Sequence, residues 1–190
     1  MAWVIDPAHS TIEFTAKHMM FTKVRGQFDS FEGTLDIDVQ NPENSYVEGT
    51  VEIDSIDTGD NDRDNHLRSP DFFDVENHPT MTFRSTRIER TGDNEFKVYG
   101  DLTIRGTTRE IVWDVEAAEL GNDPWGNPRL GFSAETKLNR KDFGLNWNVA
   151  LETGGWLVSD EIKINAEVQV VPSPEDVAET AEAEMEMTTV

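Results

Sequence analysis

The segment Asp60–Phe83 holds many of the side chains that could do chemistry. It reads DNDRDNHLRSPDFFDVENHPTMTF, with alternating acids at its start, two histidines and two adjacent phenylalanines. The acids Asp60, Asp62 and Asp64 look like the start of a calcium loop, but an EF-hand also needs glycine at its sixth position and glutamate at its twelfth. The segment has neither, so we interpret the acids as charges that stabilise a helix N-terminus.

The four histidines are too far apart in the sequence to form a recognisable metal motif. Those at positions 9, 18, 66 and 78 show neither an H-E-x-x-H pattern nor another paired spacing. We therefore predict no metal site and assign them hydrogen-bonding roles. His18 alternates with Phe14 and Ala16 on one face of a predicted strand, where it would offer a polar group to one end of an interior cavity.

Apolar and polar residues alternate along most of the chain, which is the pattern of strands with one buried face. Eight such stretches are separated by turn signals, for example Arg-Gly-Thr at positions 105–107. Long, cleanly alternating strands favour a sheet closed on itself, because closure removes exposed edges. The alternation changes phase between Phe28 and Phe31 and between Ile53 and Ile56, which predicts bends in two strands.

The segment Asp60–Phe83 interrupts this strand pattern and is expected to form a short helical insert in two pieces. Ser69 followed by Pro70 is typical of an N-cap and first helical position, so the second piece is predicted at Pro70–Asp74. Phe72 and Phe73 lie on it. If the insert covers one mouth of a closed sheet, one of these rings should face the interior, because two exposed phenylalanines would be unusual.

Composition excludes several classes of function. The chain has 190 residues, no cysteine and a formal net charge of −22, with six lysines against ten arginines. Such an acidic, lysine-poor surface suits a high-salt cytoplasm, where screening reduces self-repulsion. The charge argues against binding to nucleic acids and against docking on anionic lipid head groups. We see no signal peptide and no membrane-spanning segment, and expect a cytoplasmic protein without membrane insertion.

We predict two regions, a folded domain at residues 1–171 and a disordered tail at residues 172–190. The tail has six acids, no base and no strand pattern.

Five segments together resemble the YceI-like family of polyisoprenoid-binding, lipocalin-like proteins. The resemblance runs in order from about Trp3 to Val170, and its strongest stretches are Trp3–Gly33, Asp60–Thr86, Gly100–Ile111, Asn139–Trp147 and Ser159–Val168. It implies an all-β fold: an extended eight-stranded antiparallel barrel with a short helical insert. It also implies an elongated apolar cavity for a long-chain amphiphile, such as a polyisoprenoid or isoprenoid quinone, and a homodimer.

Many family members are periplasmic and carry a signal peptide, whereas here none is visible and an acidic tail is added. The missing signal peptide favours a cytoplasmic member, and the acidic, lysine-poor surface favours one from a haloarchaeon or another halophile.

On this interpretation the protein is a carrier for an apolar long-chain ligand, with no cofactor besides a bound isoprenoid or other long-chain lipid. Polar contacts are expected from His18, Arg25, His66 and Arg68. Apolar contacts are expected from Phe14, Met19, Phe28, Phe72, Phe73, Trp113, Phe132 and Phe143.

Two alternatives remain open from the residues alone. The barrel could be filled by its own side chains, with Phe143 and Trp147 plugging one end, and serve as a stress-related structural dimer. The glycines on the inward face would then serve only the curvature of the sheet. The chain could also be an enzyme acting on a bound lipid, with Asp142 or His18 as base, although it lacks a G-x-S-x-G motif and a metal triad.

Overall fold

The computed structural model describes residues 2–155 and 157–174. Its helix and strands are β1 (Ala2–Ile5), β2 (Thr11–His18), β3 (Thr22–Phe28), β4 (Phe31–Asp36), β5 (Tyr46–Glu52), β6 (Ile56–Asp57), α1 (Asn61–Arg68), β7 (Thr80–Arg90), β8 (Glu95–Ile104), β9 (Thr107–Ala117), β10 (Gly121–Asn122), β11 (Pro128–Asn139) and β12 (Glu161–Pro172). Short 3₁₀ helices occupy Pro7–His9, Pro42–Asn44, Ile53–Ser55 and Arg140–Phe143.

The folded domain extends slightly past the predicted boundary at residue 171. Pro172 still belongs to β12, and the Ser173 N–H donates a hydrogen bond to Ala2 O at 2.8 Å. The rest of the predicted tail, residues 175–190, lies outside the described residues, so its disorder stays a prediction.

The strands close into one antiparallel barrel. The ring of paired strands runs β1–β4–β5–β7–β8–β9–β11–β12 and returns to β1, while β2, β3 and β6 continue the pairing on one side. β1 and β2 both pair with β12, so they are two halves of one interrupted barrel strand. β4 pairs with β1 and β3 pairs with β2, so they are two halves of the next barrel strand. The predicted eight-stranded barrel is confirmed.

Both predicted bends are present. The first falls in the break between β3 and β4, and the second is the 3₁₀ helix Ile53–Ser55 between β5 and β6. Only Gln27 and Phe28 of β3 pair with β6, so within the described residues Thr22–Gly26 has β2 as its sole ladder partner. The β2–β3 hairpin therefore projects past the ladder between β2 and β12, which ends at Thr15. The end of β2 is still held by the chain before β12, because His18 bridges Val158 and the Met19 N–H donates to Leu157 O at 2.8 Å.

The pairing register puts the predicted apolar sets on one inward face. Phe14 stands opposite both Gly26 and Ile164, and Val98 stands opposite Trp113. Directly paired residues share a face of the sheet, and successive residues alternate between faces. The alternation in the sequence thus predicted which side chains point into the barrel.

Buried apolar side chains close both ends of the barrel. The upper plug consists of Trp3, Leu35, Leu130 and Val170. The lower plug, at the end where the insert lies, consists of Phe72, Leu102, Ile104, Ile111, Phe143 and Leu145. A neighbouring cluster of Phe28, Ile53 and Ile56 completes the lower end.

The insert has one helix and not the predicted two. Asp60 is the N-cap of α1 and accepts a hydrogen bond from the Arg63 N–H at 3.0 Å, as its acidic residues suggested. Residues 70–74 form turns, because the Ser69 hydroxyl donates to His66 O and closes α1. The carboxylate of Asp64 is buried and accepts hydrogen bonds from Thr58, which fastens α1 to the chain after β6.

Candidate functional site

Between the plugs, inward-facing aromatic side chains keep some accessible surface. Phe83 and Trp113 meet edge to face with ring centroids 6.3 Å apart, and the ring of Phe14 lies 5.6 Å from that of Phe28. Phe14, Phe83 and Trp113 are only half-buried although they point into the barrel. Their accessible surface therefore borders an interior space, which we call the lumen.

The inward glycines play two different roles. At Gly26 and Gly100 an added methyl group would collide with the rings of Phe14 and Phe83, so these glycines make room for the protein's own aromatic side chains. At Gly49 the same methyl would contact only Glu32 O, at 3.4 Å. Gly49 thus leaves space free on the inward face, whereas Gly26 and Gly100 do not.

A slit opens in the barrel wall between β9 and β11. The ladder joins only Asp114–Ala117 to Phe132–Glu135, and in the described chain the start of β9 has no partner on β11. The Thr136 hydroxyl donates to Val112 O at 2.7 Å where the strands separate. The resulting groove has a volume of about 470 Å³.

The slit combines an apolar floor with a charged rim. Ile111, Leu138 and Phe143 line its floor, and its rim carries Arg109, Glu110, Asp114, Glu135, Lys137 and Asp142. A hydrogen bond from Lys163 lowers the pKa of Glu135 and keeps this carboxylate ionised. Ile111 and Phe143 also belong to the lower plug, so a chain that enters through the slit has to displace plug side chains, while a polar head group can stay on the rim.

The family's sequence profile supplies the comparison that decides the classification. The profile of the YceI-like domain matches residues 3–170. The chain belongs to the YceI-like domain family. A UPF0312 protein of Staphylococcus epidermidis, SERP2314, is 40% identical to this YceI-like chain over 165 residues, which covers 86% of the chain and 94% of the relative.

Two solved structures share the fold of this YceI-like domain. Burkholderia cenocepacia BcnA superposes with a TM-score of 0.77 at 25% identity, covering 87% of this chain and 98% of that one. A polyisoprenoid binding domain from Saccharophagus degradans, implicated in plant cell wall breakdown, gives a TM-score of 0.66 at 14% identity, with coverage of 90% and 98%. All three relatives are bacterial, so they lend no support to a haloarchaeal origin.

The YceI-like barrel places five of the predicted apolar residues in or beside a plug. Phe72 and Phe143 belong to the lower plug, and Phe143 is only 2% exposed. Phe73 packs edge to face on Phe28 with centroids 6.2 Å apart, and Phe132 packs against the upper plug. Phe14 and Trp113 line the lumen, whereas the other rings mainly seal its ends.

Two side chains of the insert that are predicted to contact a ligand make hydrogen bonds within the protein. The Arg68 guanidinium donates to Asp54 O and to Ile56 O, both at 2.9 Å, and so ties α1 to the bend after β5. His66 Nε2 lies 2.9 Å from Asp71 Oδ2, and its ring packs 4.6 Å from that of Trp147. Both side chains help to hold the insert at the lower end of the barrel, and their contacts with a ligand stay a prediction.

The remaining predicted contacts lie on the projecting hairpin. Arg25 pairs with Thr15 on the outward face and is exposed, so it does not point into the lumen, and its contact with a ligand head group stays a prediction. Met19 sits in the exposed turn after β2, away from the lumen. His18 is on the inward face as expected, but it is the last residue of β2, past the ladder between β2 and β12.

Sequence patterns missed Arg140, which organises the lower end. It is 4% exposed, and its guanidinium donates to Leu145 O at 2.6 Å, to Trp147 O at 2.8 Å and to Ser159 O at 2.9 Å. Burial lowers its pKa below the usual value, while Asp160, 3.6 Å away, opposes that shift. An arginine within a polar stretch of sequence is expected on the surface, so no sequence pattern predicted that Arg140 is buried and binds these carbonyl oxygens.

Proposed function

We propose that this YceI-like domain binds a long-chain amphiphile of the polyisoprenoid or isoprenoid-quinone type. The chain occupies the lumen and the head group rests on the rim of the slit. The observation that carries the proposal is the open space at Gly49 beside the half-exposed inward ring of Phe83. The description of the Saccharophagus domain as polyisoprenoid binding supports the same ligand class for a shared fold.

The energetics favour an apolar chain over a compact polar ligand. Each methylene group moved from water into an apolar site contributes about 0.8 kcal/mol, so several enclosed methylenes are enough for tight binding. Phe14, Trp113 and Ile164 offer the apolar wall along the lumen, and Arg109 and Lys137 offer cations at the rim. Because the rim also carries the acids Glu110, Asp114, Glu135 and Asp142, a ligand with a long tail and a polar head without net negative charge fits this distribution.

The geometry favours binding over catalysis. Asp142 lies at the slit and His18 is the last residue of β2, and within the described residues neither side chain is hydrogen-bonded to a group that would orient it as a base. Acid–base catalysis needs a base held within hydrogen-bond reach of the substrate. We therefore assign neither residue a catalytic role.

Homodimerisation, a cytoplasmic location and adaptation to high salt belong to the same proposal. Among the described residues no helix is long and apolar enough to cross a bilayer. The net charge of −22 supports a salty solvent, because screening by salt relieves repulsion between acids. Sedimentation equilibrium tests the dimer, and thermal unfolding in rising KCl tests the solvent: a midpoint that does not rise with salt contradicts halophilic adaptation.

Ligand extraction tests the binding function. The full chain is purified, its bound lipids are extracted for mass spectrometry, and the delipidated protein is titrated with a fluorescent polyprenyl probe. We expect a co-purified long-chain lipid and saturable binding of one probe per barrel. A protein that carries no lipid and takes up no probe, although it is folded, contradicts the proposal.

A further inference from the structure

The tip of the β2–β3 hairpin exposes bulky apolar side chains. Met19, Met20 and Phe21 form this hairpin tip, and Phe21 is 84% exposed. Val149 from the neighbouring loop is also exposed, and Met20 packs beside Gly155 of that loop. Other exposed large apolar residues, such as Val39, Leu120 and Trp125, are separated in the sequence, whereas Met19, Met20 and Phe21 are consecutive. A contiguous apolar patch of this kind marks an interaction surface.

The backbone of the hairpin tip is unfavourable for its residues. Met19 and Met20 have φ values of 50° and 65°, and the Phe21 N–H closes the turn on His18 O at 3.1 Å. Tight turns with two positive φ values strongly prefer asparagine and glycine. Two methionines at these positions place large apolar side chains on a strained backbone. Local backbone strain of this kind is characteristic of functional sites.

Cations flank the tip on the outward face of the same hairpin. Lys17 and Lys23 stand directly opposite each other, and Arg25 follows opposite Thr15. Like charges in opposed positions are unfavourable, and within the described residues none of the three forms an ion pair. Residues 14–28 contain these three bases and none of the chain's 38 acids.

We propose that the hairpin tip docks on an anionic lipid bilayer. The apolar tip enters the boundary between head groups and acyl chains, and the cations lie among the phosphates. Lys17 and Lys23 are two residues behind the turn, roughly 7 Å at strand spacing, which matches the shallow depth of interfacial elements. The total charge of −22 argued against such docking, but the local charge of the hairpin has the opposite sign.

Charge also decides between a bilayer and a second copy of the chain. In a two-fold dimer formed through this hairpin the same surface meets itself, which would bring the unpaired cations together. Lysines on a free edge also prevent edge-to-edge pairing, but that role does not require an apolar tip. An anionic bilayer explains the cations and the apolar tip together. This docking goes beyond the lipid-binding function and does not depend on what fills the lumen.

Vesicle flotation tests the docking. The full chain is mixed with vesicles of phosphatidylcholine and phosphatidylglycerol in equal parts, and separately with pure phosphatidylcholine, at low and at molar salt. We expect binding to the anionic vesicles that weakens in molar salt, where the cations are screened, but persists, because insertion of the apolar tip is not screened. Phe21→Ser should weaken it on the order of tenfold. The triple variant K17Q/K23Q/R25Q should weaken it on the order of 100-fold.

Matched controls keep the test specific. Trp125 is 83% exposed, near the upper plug in the turn between β10 and β11, so Trp125→Ser removes an equally exposed aromatic ring and should leave vesicle binding unchanged. The variant R84Q/R87Q/K97Q makes the same change in charge on β7 and β8 and should also bind normally.

Circular dichroism confirms that each variant is folded. The proposal is overturned if the folded wild type does not float with anionic vesicles, or if the control variants lose binding as much as the hairpin variants. It is also overturned if Phe21→Ser dissociates a dimer and has no effect on flotation. Uptake of the polyprenyl probe is measured in parallel, so loss of docking and loss of lumen binding can be told apart.

Discussion

Gly49 stands directly opposite Phe83 on the paired strands β5 and β7, and the inward side of Gly49 is open. Across the next pair of strands the arrangement is the reverse, because the ring of Phe83 lies over Gly100 and fills the space there. The same residue type thus marks an unfilled part of the lumen at one position and a packed part at the other.

This difference predicts opposite outcomes for two substitutions. Gly49→Ala should change the free energy of unfolding by less than about 1 kcal/mol, because the new methyl meets a single atom. Gly100→Ala should destabilise by about 1–3 kcal/mol, because the methyl collides with Arg84 O and the ring of Phe83. Urea unfolding measures both, and equal losses would contradict the open lumen.

Phe72 is predicted to be the main anchor of the insert. Its side chain is buried in the lower plug, and the Arg105 guanidinium donates to its carbonyl oxygen at 2.8 Å. Phe72→Ala should destabilise the fold by about 3–5 kcal/mol because it leaves a cavity. Phe21→Ala, at an exposed position, should stay within about 0.5 kcal/mol. Chemical denaturation compares the two, and similar values would show that the insert does not close the barrel.

Arg140 should be far more sensitive than a surface cation. Arg140→Gln removes the donors to Leu145 O and Trp147 O, and bonds from charged donors contribute about 1.5–3 kcal/mol each. We expect a loss of about 3 kcal/mol and a changed near-ultraviolet signal from Trp147. The control is Lys137→Gln, at an exposed position of β11, which should change the free energy of unfolding little. A stable Arg140→Gln variant with an unchanged spectrum would refute this role.

Acid should weaken the upper end of the barrel through Asp123. A hydrogen bond from the Asn127 side chain, with further bonds from Arg129 and backbone N–H groups, lowers the pKa of Asp123 from 3.8 to about 2. Because the folded-state pKa is the lower one, the stabilisation is complete above about pH 4 and is lost as the pH falls toward 2. Stability curves of the wild type and Asp123→Asn should therefore converge over this range, and a constant gap would contradict the assignment.

The strands and the inward face could be predicted because period-two alternation reports directly which side of a strand is buried. The register of Phe14 with Ile164 and of Val98 with Trp113 follows that alternation. The insert was predicted in position but not in detail. The Ser69 hydroxyl bonds back to His66 O, which ends α1 and leaves the next residues as turns.

The polar contacts could not be predicted, because residue type does not reveal which partner a charged side chain finds. Arg68 and Arg140 donate to backbone carbonyls of neighbouring loops and turns, and Arg25 has the wrong parity for the lumen. The slit was also invisible in the sequence. It arises where β9 and β11 stop pairing, although both strands continue with regular alternation.

Native mass spectrometry of the wild type and of Gly49→Trp tests the central claim most directly. The indole would occupy the open space beside Phe83 that the ligand chain needs. The account predicts that the folded wild type takes up one long-chain amphiphile per barrel and that the folded Gly49→Trp variant takes up little or none. Equal uptake by both proteins would show that the ligand binds elsewhere and would contradict a lumen site.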